Sequence, residues 1–150
     1  IATKLGLAEQ DKLAIYNAAL LHDIGKIGIR DEILLAPRKL NFDEMAIIRE
    51  HPSFGNTILM PLKFLGEIRE YVRYHHERWD GTGYPDGRKG SDIPLASRII
   101  AVADTYDAMT SSRPYRDELT KENAITEISE LAGTQFDPDV VEAFLQVVPN

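Results

Sequence analysis

The sequence of 150 residues contains no cysteine, so disulfides and thiolate-bound metals are excluded. Any metal ion must then be held by His, Asp or Glu side chains. No uncharged apolar run approaches the roughly 20 residues that span a bilayer. The opening Ile-Ala-Thr-Lys also lacks the basic and apolar regions of a signal peptide. These absences fit a cytosolic protein with no membrane segment.

Positive charge is scarce as well. Lys and Arg number 17 against 24 Asp and Glu, which gives a net charge of −7. Non-specific binding of long nucleic acid relies on many Lys and Arg contacts to phosphate, so this composition argues against that function. A small anionic substrate is compatible with it if bound cations reverse the sign of the local field.

Strand signals are missing, since no segment shows Val, Ile, Thr or Tyr at every second position and no hairpin turn is found. Apolar residues recur at helical spacing instead. The predicted helices cover about Glu9–Asp23, Glu44–Glu50, Ser53–Leu59, Phe64–Trp79, Leu95–Thr110, Lys121–Leu131 and Asp139–Val147, after the last turns of another at Ile1–Leu7. No internal repeat and no Ser/Gly-rich linker divides the chain. The sequence therefore predicts one all-helical domain, residues 1–150.

Several helix ends carry recognisable signals. Asn41 is a candidate N-cap, Asp137-Pro138 combines a cap with a first-turn proline, and Pro94 is predicted as a first helical residue. Between helices we predict a short apolar turn at Ile33–Pro37 and a loop at Asp80–Ile93. The apolar positions predicted to repeat or to be buried are Leu13, Leu20, Leu21, Ile99, Ile100, Val102 and Ala103.

The most informative stretch is residues 75–87. His75 and His76 are adjacent and would repel each other if both were protonated, whereas metal binding keeps both neutral. The alternative is a solvated pair. The loop that follows contains Gly81, Gly83, Pro85 and Gly87, whose backbone preferences indicate a shaped surface.

Other segments offer further ligands. His22 and Asp23 end a helix, and because a carboxylate can bridge two cations while an imidazole cannot, Asp23 is the natural centre of a multinuclear site. The plain alternative is a helix C-terminal His favoured by the dipole, and His51 by itself would more often cap a helix. Asp104 lies in an apolar helix and needs a cation or donors if buried. Asp107, three residues later, could orient a ligating imidazole.

Four His and two Asp form a nitrogen and oxygen donor set that suits Fe or Mn better than Zn. Cations also lie near these segments in the sequence, although each could be a solvated surface residue: Lys26, Arg98, Arg113 and Arg116. A phosphoester substrate would require such cations beside its metals.

Together, these residues resemble the HD-GYP family of the HD phosphohydrolase superfamily. The resemblance is carried, in order, by His22-Asp23-Ile24-Gly25-Lys26-Ile27-Gly28-Ile29, His51-Pro52 with Gly55, His75-His76-Glu77-Arg78-Trp79-Asp80-Gly81-Thr82-Gly83-Tyr84-Pro85, Ile93-Pro94-Leu95, Arg98-Ile99-Ile100-Ala101-Val102-Ala103-Asp104, Asp107-Ala108-Met109-Thr110-Ser111, Arg113-Pro114-Tyr115-Arg116 and Phe136-Asp137-Pro138. It spans nearly the whole chain. It implies an HD-superfamily helical bundle whose Gly/Pro-rich loop, Gly83-Tyr84-Pro85, lies next to a metal site.

The resemblance implies a phosphodiesterase of bacterial second-messenger signalling that cleaves cyclic di-GMP to the linear dinucleotide pGpG, to GMP or to both. The implied ligands of two or three Fe or Mn ions are His22, Asp23, His51, His75, His76 and Asp104. Lys26 would contact the scissile phosphate or protonate the leaving oxygen. Arg113 and Arg116 would hold substrate phosphates. Asp80, Gly83, Tyr84 and Pro85 would shape the entrance, and their loop would also face partner proteins with diguanylate cyclase (GGDEF) domains.

The sequence departs from the family at its start. Members carry another His on a helix upstream of Ile1, and some carry a Glu one turn before it; neither occurs here. We therefore expect a single HD-GYP-like domain without its N-terminal helix, with a sensory or receiver domain upstream. We also expect this form to hold metal poorly and to turn over slowly or not at all.

Two other functions compete with the enzyme. A non-catalytic cyclic dinucleotide receptor or docking module would keep the loop without the chemistry, but it has no need of the full His and Asp set. An HD hydrolase acting on a different nucleotide is disfavoured by the Gly-Tyr-Pro loop.

Overall fold

The computed structural model describes residues 1–111 and 118–148. These residues form α-helices and no β-strand, which confirms the all-α class. The helices are α1 (Glu9–Leu21), α2 (Asp31–Leu34), α3 (Phe42–Arg49), α4 (His51–Leu59), α5 (Ile68–Arg73), α6 (Leu95–Thr110), α7 (Lys121–Glu130) and α8 (Pro138–Leu145). Three 3-10 turns span Ile24–Gly28, Lys63–Leu65 and Gly90–Asp92. Within these ranges, no helix has both the length and the hydropathy that a membrane span requires.

The core is built around α6, which packs against α1, α5, α7 and α8. Its buried residues include Ile99, Ile100 and Val102, as predicted, but Ala103 is exposed, so that part of the prediction is wrong. Ala103 lies on the same side of the helix as Ile99 and Ile100, but it borders an open surface groove that Ala19 and His22 also line, so solvent reaches it. The other helices contribute Ile15, Ala18, Val72, Ile128, Val140 and Phe144.

Helix α1 buries a different face from the one its leucines indicated. Ile15 and Ala18 are buried, whereas Leu13 and Leu20 are 60% and 68% exposed. The helix packs on α5 and α6 through Ile15 and Ala18, with Ala14 and Leu21 packed beside them. Its periodicity therefore showed that a helix forms, but not which side faces the core.

The predicted caps form as expected. Asn41 Oδ1 accepts the backbone N–H of Glu44 at 2.9 Å, and the Glu44 carboxylate accepts the N–H of Asn41 at 2.9 Å, which completes a capping box. Asp137 Oδ1 accepts the N–H of Asp139 at 2.9 Å and so caps α8. Pro94 does not occupy the first helical position but the cap before Leu95.

The predicted helix Phe64–Trp79 is much shorter in the structure. Gly66, with φ of 48°, separates the turn Lys63–Leu65 from α5, which ends at Arg73. Beyond it, the backbone N–H groups of Trp79 and Asp80 donate to the carbonyls of Gln135 and Thr134, at 3.1 and 2.8 Å. These distant partners replace the helical ones. The predicted turn at Ile33–Pro37 is also partly wrong, because α2 covers Asp31–Leu34.

The turn Ile24–Gly28 lies directly on α4. A Cβ placed on Gly25 would stand 1.8 Å from the carbonyl oxygen of His51 and 2.5 Å from the backbone nitrogen of Gly55. Only glycine permits so close an approach of two backbones. This contact brings Asp23, at the start of the turn, beside His51 at the start of α4.

Candidate metal centre

Three histidines are oriented by the backbone. The Nδ1 atoms of His22, His51 and His75 lie 2.7, 2.7 and 2.6 Å from carbonyl oxygens three residues earlier, those of Ala19, Ile48 and Val72. A carbonyl can only accept, so Nδ1 carries the proton in each ring. The Nε2 atom of each neutral imidazole then presents a lone pair, as a metal ligand does.

These lone pairs point at one another. The Nε2 of His51 lies 3.4 Å from the Nε2 of His75, and neither can donate when both Nδ1 atoms are protonated. The ring of His76 is 4.1 Å from that of His75, centroid to centroid. One potential ligand atom from each of these three residues falls within 4.8 Å of the other two. A cation held between facing acceptors turns this repulsion into coordination.

Asp23 joins this triplet to a second one. Its Oδ1 lies 3.3 Å from His51 Nε2, and its Oδ2 lies 3.5 Å from His22 Nε2. The potential ligand atoms of His22, Asp23 and His75 also lie within 4.8 Å of one another. Asp104 borders the same group, with Oδ1 3.6 Å from His22 Nε2. The structure thus brings together all six side chains predicted as ligands.

One oxygen of this group is an orphan. Asp23 Oδ1 is buried and accepts no hydrogen bond from any residue in the described ranges. Its other oxygen, Oδ2, accepts from Lys26 Nζ at 2.5 Å. A buried, unpaired carboxylate oxygen is costly, and a divalent cation would satisfy it. The donor set and the orphan oxygen together fit a metal ion.

The electrostatics of the site favour a neutral His75, a neutral His76 and an ionised Asp23, which are the states that metal binding needs. Burial, together with the neighbouring imidazoles, lowers the pKa of His75 well below its usual value and that of His76 to about 4. Burial alone would raise the pKa of Asp23, but that pKa is held well below its usual value, with the Lys26 ammonium on Oδ2 favouring the ionised carboxylate. The Asp104 carboxylate raises the pKa of His22. Neutral His75 and His76 beside an ionised Asp23 are ready to bind a cation.

The Gly-Tyr-Pro loop lies against this group. The backbone N–H of Tyr84 donates to the carbonyl of His76 at 3.2 Å, and the two rings stack at 4.9 Å with an interplanar angle of 27°. A Cβ on Gly83 would stand 2.3 Å from the backbone nitrogen of Arg78, so glycine is required there. Pro85 follows in the same loop.

Four predicted site residues do not join the group of converging ligands in the part of the chain that the structure describes. Asp107 is exposed and accepts from Ser111 Oγ at 3.3 Å; backbone carbonyls perform the orienting role predicted for it. Asp80 is occupied within its own loop, where Arg78 and Thr82 donate to its carboxylate at distances of 2.6–3.3 Å. Arg113 and Arg116 lie outside the described residues.

Sequence reasoning assigned no role to Glu77. This residue is only 4% exposed, and its Oε1 accepts the N–H of Asp86 at 2.8 Å, which fastens the far end of the loop to the histidine pair. Its position directly after His76 in the motif was the available signal. Behind the pair lies a cavity of about 200 Å³, whose lining includes His75, His76, Glu77, Arg78, Asp104, Thr105 and Gln135.

Comparisons with known proteins give a consistent result. The sequence model of the HD domain family matches residues 1–140. A cyclic di-GMP phosphodiesterase of Thermotoga maritima is 47% identical over 98% of this chain and 40% of its own length. The cyclic di-GMP phosphodiesterase response regulator RpfG of Xanthomonas campestris is 44% identical over 97% of this chain and 39% of its own length.

The fold is also similar to a solved structure. A crystal structure of a cyclic GMP-AMP specific phosphodiesterase of Vibrio cholerae superposes with a TM-score of 0.73, at 23% identity, over 99% of this chain and 41% of the other. This likeness concerns the fold alone. The chain spans about two fifths of the length of these relatives.

Proposed function

The chain belongs to the HD domain family, and from this premise we propose that it is a metal-dependent phosphodiesterase that hydrolyses cyclic di-GMP. The products would be the linear dinucleotide pGpG, GMP or both. The observation that carries the proposal is the convergence of four imidazoles and two carboxylates on one point, with lone pairs facing inward. The proposal includes the cytoplasmic role in second-messenger signalling that the resemblance implies.

We assign the metal ligands to His22, Asp23, His51, His75, His76 and Asp104, and the cofactor to two or three Fe or Mn ions. When bound, such ions polarise phosphoryl oxygens and lower the pKa of water near neutrality. Asp23 is the bridging ligand, because its two oxygens face imidazoles on different elements. A docking or receptor module would have no need of these converging donors.

Lys26 is the cation that meets the substrate. Its Nζ is held by Asp23 Oδ2 at 2.5 Å, while its side chain stays 36% exposed at the edge of the cluster. From this position it can donate to the scissile phosphate or pass a proton to the leaving oxygen. Arg113 and Arg116 would hold the substrate phosphates.

The loop would shape the entrance. Tyr84 is held on His76, and Gly83 and Pro85 fix the backbone on either side, while Asp80 stabilises the loop from within. The same loop is the proposed contact for GGDEF-domain partners, and sensory or receiver domains would regulate the centre from elsewhere in the protein.

The test compares two variants of neighbouring residues. After anaerobic loading with Fe or Mn, Asp23→Ala should lose more than one metal ion per chain and all turnover of cyclic di-GMP, because a bridge serves two ions. Lys26→Ala should keep its metal and lose about 100-fold or more in kcat, as expected for an acid or phosphate-binding group. The exposed Asp92→Asn serves as control. Full metal occupancy in Asp23→Ala would rule out the bridge, and a metal-loaded wild type that neither binds nor cleaves cyclic di-GMP would rule out the function.

A further inference from the structure

We propose that Arg49, held over Tyr84, forms a second anion subsite that binds the phosphate of a cyclic dinucleotide that is not being cleaved. This inference rests on the proposed function and adds a substrate-binding residue to it.

The geometry links Arg49 to the metal ligands through one aromatic ring. The Tyr84 ring stacks on His76 with centroids 4.9 Å apart, and the Arg49 Cζ lies 5.5 Å from the Tyr84 centroid. The guanidinium therefore lies no more than about 10 Å from the ring of a ligand histidine, a limit set by adding the two distances. The half-buried Tyr84 is fixed by its backbone bond to His76.

The N–H groups of the Arg49 guanidinium have no hydrogen-bond acceptor in the described part of the chain. The side chain is exposed, and in residues 1–111 and 118–148 no group accepts a hydrogen bond or forms an ion pair with it. The arginines around the loop differ, because Arg73 pairs with Asp86 at 2.7 Å and Arg78 with Asp80 at 3.0 Å. An arginine that lies over an aromatic ring and has unpaired N–H groups can bind an anion with them.

The backbone places Arg49 next to a proposed metal ligand. It is the last residue of α3, two positions before His51, and the carbonyl of its neighbour Ile48 accepts the Nδ1–H of His51 at 2.7 Å. Helix α3 buries none of its side chains in the core, although a complete capping box defines its start. A well-formed helix that adds nothing to the core is explained if it serves to present Arg49. A cation is also favoured in a last helical turn, but only the Tyr84 contact directs it toward the site.

The chemistry of the substrate favours such a cation. A cyclic dinucleotide carries two phosphodiesters, each with one negative charge. The metal ligands and Lys26 would serve the one being cleaved, and Arg49 would add to Arg113 and Arg116 a further cation for the other. Because the protein has a net charge of −7, an additional positive partner near the site would favour binding of that phosphate. A guanidinium can meet a phosphate with two parallel hydrogen bonds.

The experiment measures kcat and KM for Arg49→Gln, with Arg30→Gln as control. Arg30 is also exposed, and its nearest carboxylate, Glu32, is 3.7 Å away. The substrates are cyclic di-GMP, cyclic di-AMP and bis(p-nitrophenyl) phosphate, which has a single phosphate. We expect Arg49→Gln to raise KM by about tenfold for both dinucleotides. We expect kcat within about twofold, with metal content, thermal midpoint and bis(p-nitrophenyl) phosphate kinetics unchanged, and Arg49→Lys to be intermediate.

Each alternative result of this experiment contradicts a specific part of the proposal. An unchanged KM for cyclic di-GMP in Arg49→Gln would overturn the subsite and leave the proposed function intact. A rise in KM for cyclic di-GMP alone would overturn the phosphate assignment, because it would indicate recognition of guanine. A metal-loaded wild type that cleaves bis(p-nitrophenyl) phosphate but neither binds nor cleaves cyclic dinucleotides would overturn the proposed function, and the subsite with it.

Discussion

At the scale of single residues, the site depends on hydrogen bonds that no side-chain motif contains. His22, His51 and His75 each donate Nδ1–H to a carbonyl three residues earlier. Metal-bound imidazoles are commonly held by a carboxylate or a carbonyl behind them. A backbone carbonyl in a helical turn orients the imidazole without adding a charge. The negative charge of the cluster therefore stays on Asp23 and Asp104.

Another residue-scale feature is the ion pair between Arg98 and Asp137. The Nη1 of Arg98 lies 2.5 Å from Asp137 Oδ2, and the carboxylate is only 3% exposed. The other oxygen, Oδ1, caps α8 through the N–H of Asp139. One carboxylate therefore fastens α8 to α6.

Asp137→Ala should lower the free energy of unfolding by about 3 kcal/mol, because it removes a cap and leaves the Arg98 cation unpaired. Asp137→Asn keeps the cap acceptor and should recover about 1 kcal/mol of this. Asp139→Ala, exposed in the same turn, should cost less than about 1 kcal/mol. Urea unfolding measures all three. Equal losses in Asp137→Ala and Asp139→Ala would show that the pair contributes nothing to stability.

At the scale of elements, the contact between the turn Ile24–Gly28 and α4 sets the geometry of the centre. Asp23 precedes the turn and His51 begins α4, so their separation depends on how closely the two backbones approach. Gly25 and Gly55 face each other at this contact. Both are in the family motif, and both are explained here by backbone proximity.

Gly25→Ala should separate the turn from α4, because its Cβ would meet backbone atoms at 1.8 and 2.5 Å. We expect a loss of about 3 kcal/mol in stability and a loss of bound metal as Asp23 moves away from His51. Gly28→Ala is the matched control, since a Cβ there would meet only the Phe54 ring at 3.6 Å, an ordinary contact. Metal analysis and urea unfolding test this. Normal metal content in Gly25→Ala would refute the argument.

The loop after the histidine pair shows the same dependence on distant elements. Arg78 Nη1 donates to Gln135 Oε1 at 2.7 Å, and the backbones of Trp79 and Asp80 donate to the turn before α8. These contacts join positions more than fifty residues apart. They hold the chain between the histidine pair and the loop in a non-helical course, with the loop against His76.

At the scale of the whole molecule, the proposed ligands come from four places: the end of α1, the start of α4, the segment after α5 and the middle of α6. A metal bound to all of them would hold these elements together. A ligand that binds only the folded state stabilises it by about 2.7 kcal/mol when present at 100 times its Kd.

When the protein is first loaded with Mn²⁺ at about 100 times its Kd, removal of metal by EDTA should therefore lower the thermal midpoint by about 5–10 °C for a chain of this size. Adding Mn²⁺ back should restore it. Asp23→Ala, which lacks the proposed bridge, should respond much less to either treatment. A wild-type midpoint that EDTA leaves unchanged would mean that the cluster holds no metal that matters to stability.

The sequence alone determined the all-helical class, the bounds of α6 and the caps at Asn41 and Asp137. It also singled out the six residues that converge. Helix periodicity and capping are local properties, because they depend on residues within one or two turns. The imidazole and carboxylate groups of the motif can bind a metal ion wherever the fold places them, because this ability belongs to the side chain itself.

Only the tertiary structure decided the course of the chain after α5, the buried face of α1, and the contact of Arg49 with Tyr84. Each of these depends on a partner far away in the chain: Gln135 for Trp79, α5 and α6 for Ile15, and a loop 35 positions later for Arg49. A backbone N–H pairs with whichever acceptor the packed fold brings within reach. That choice is made by three-dimensional proximity, which spacing along the sequence does not contain.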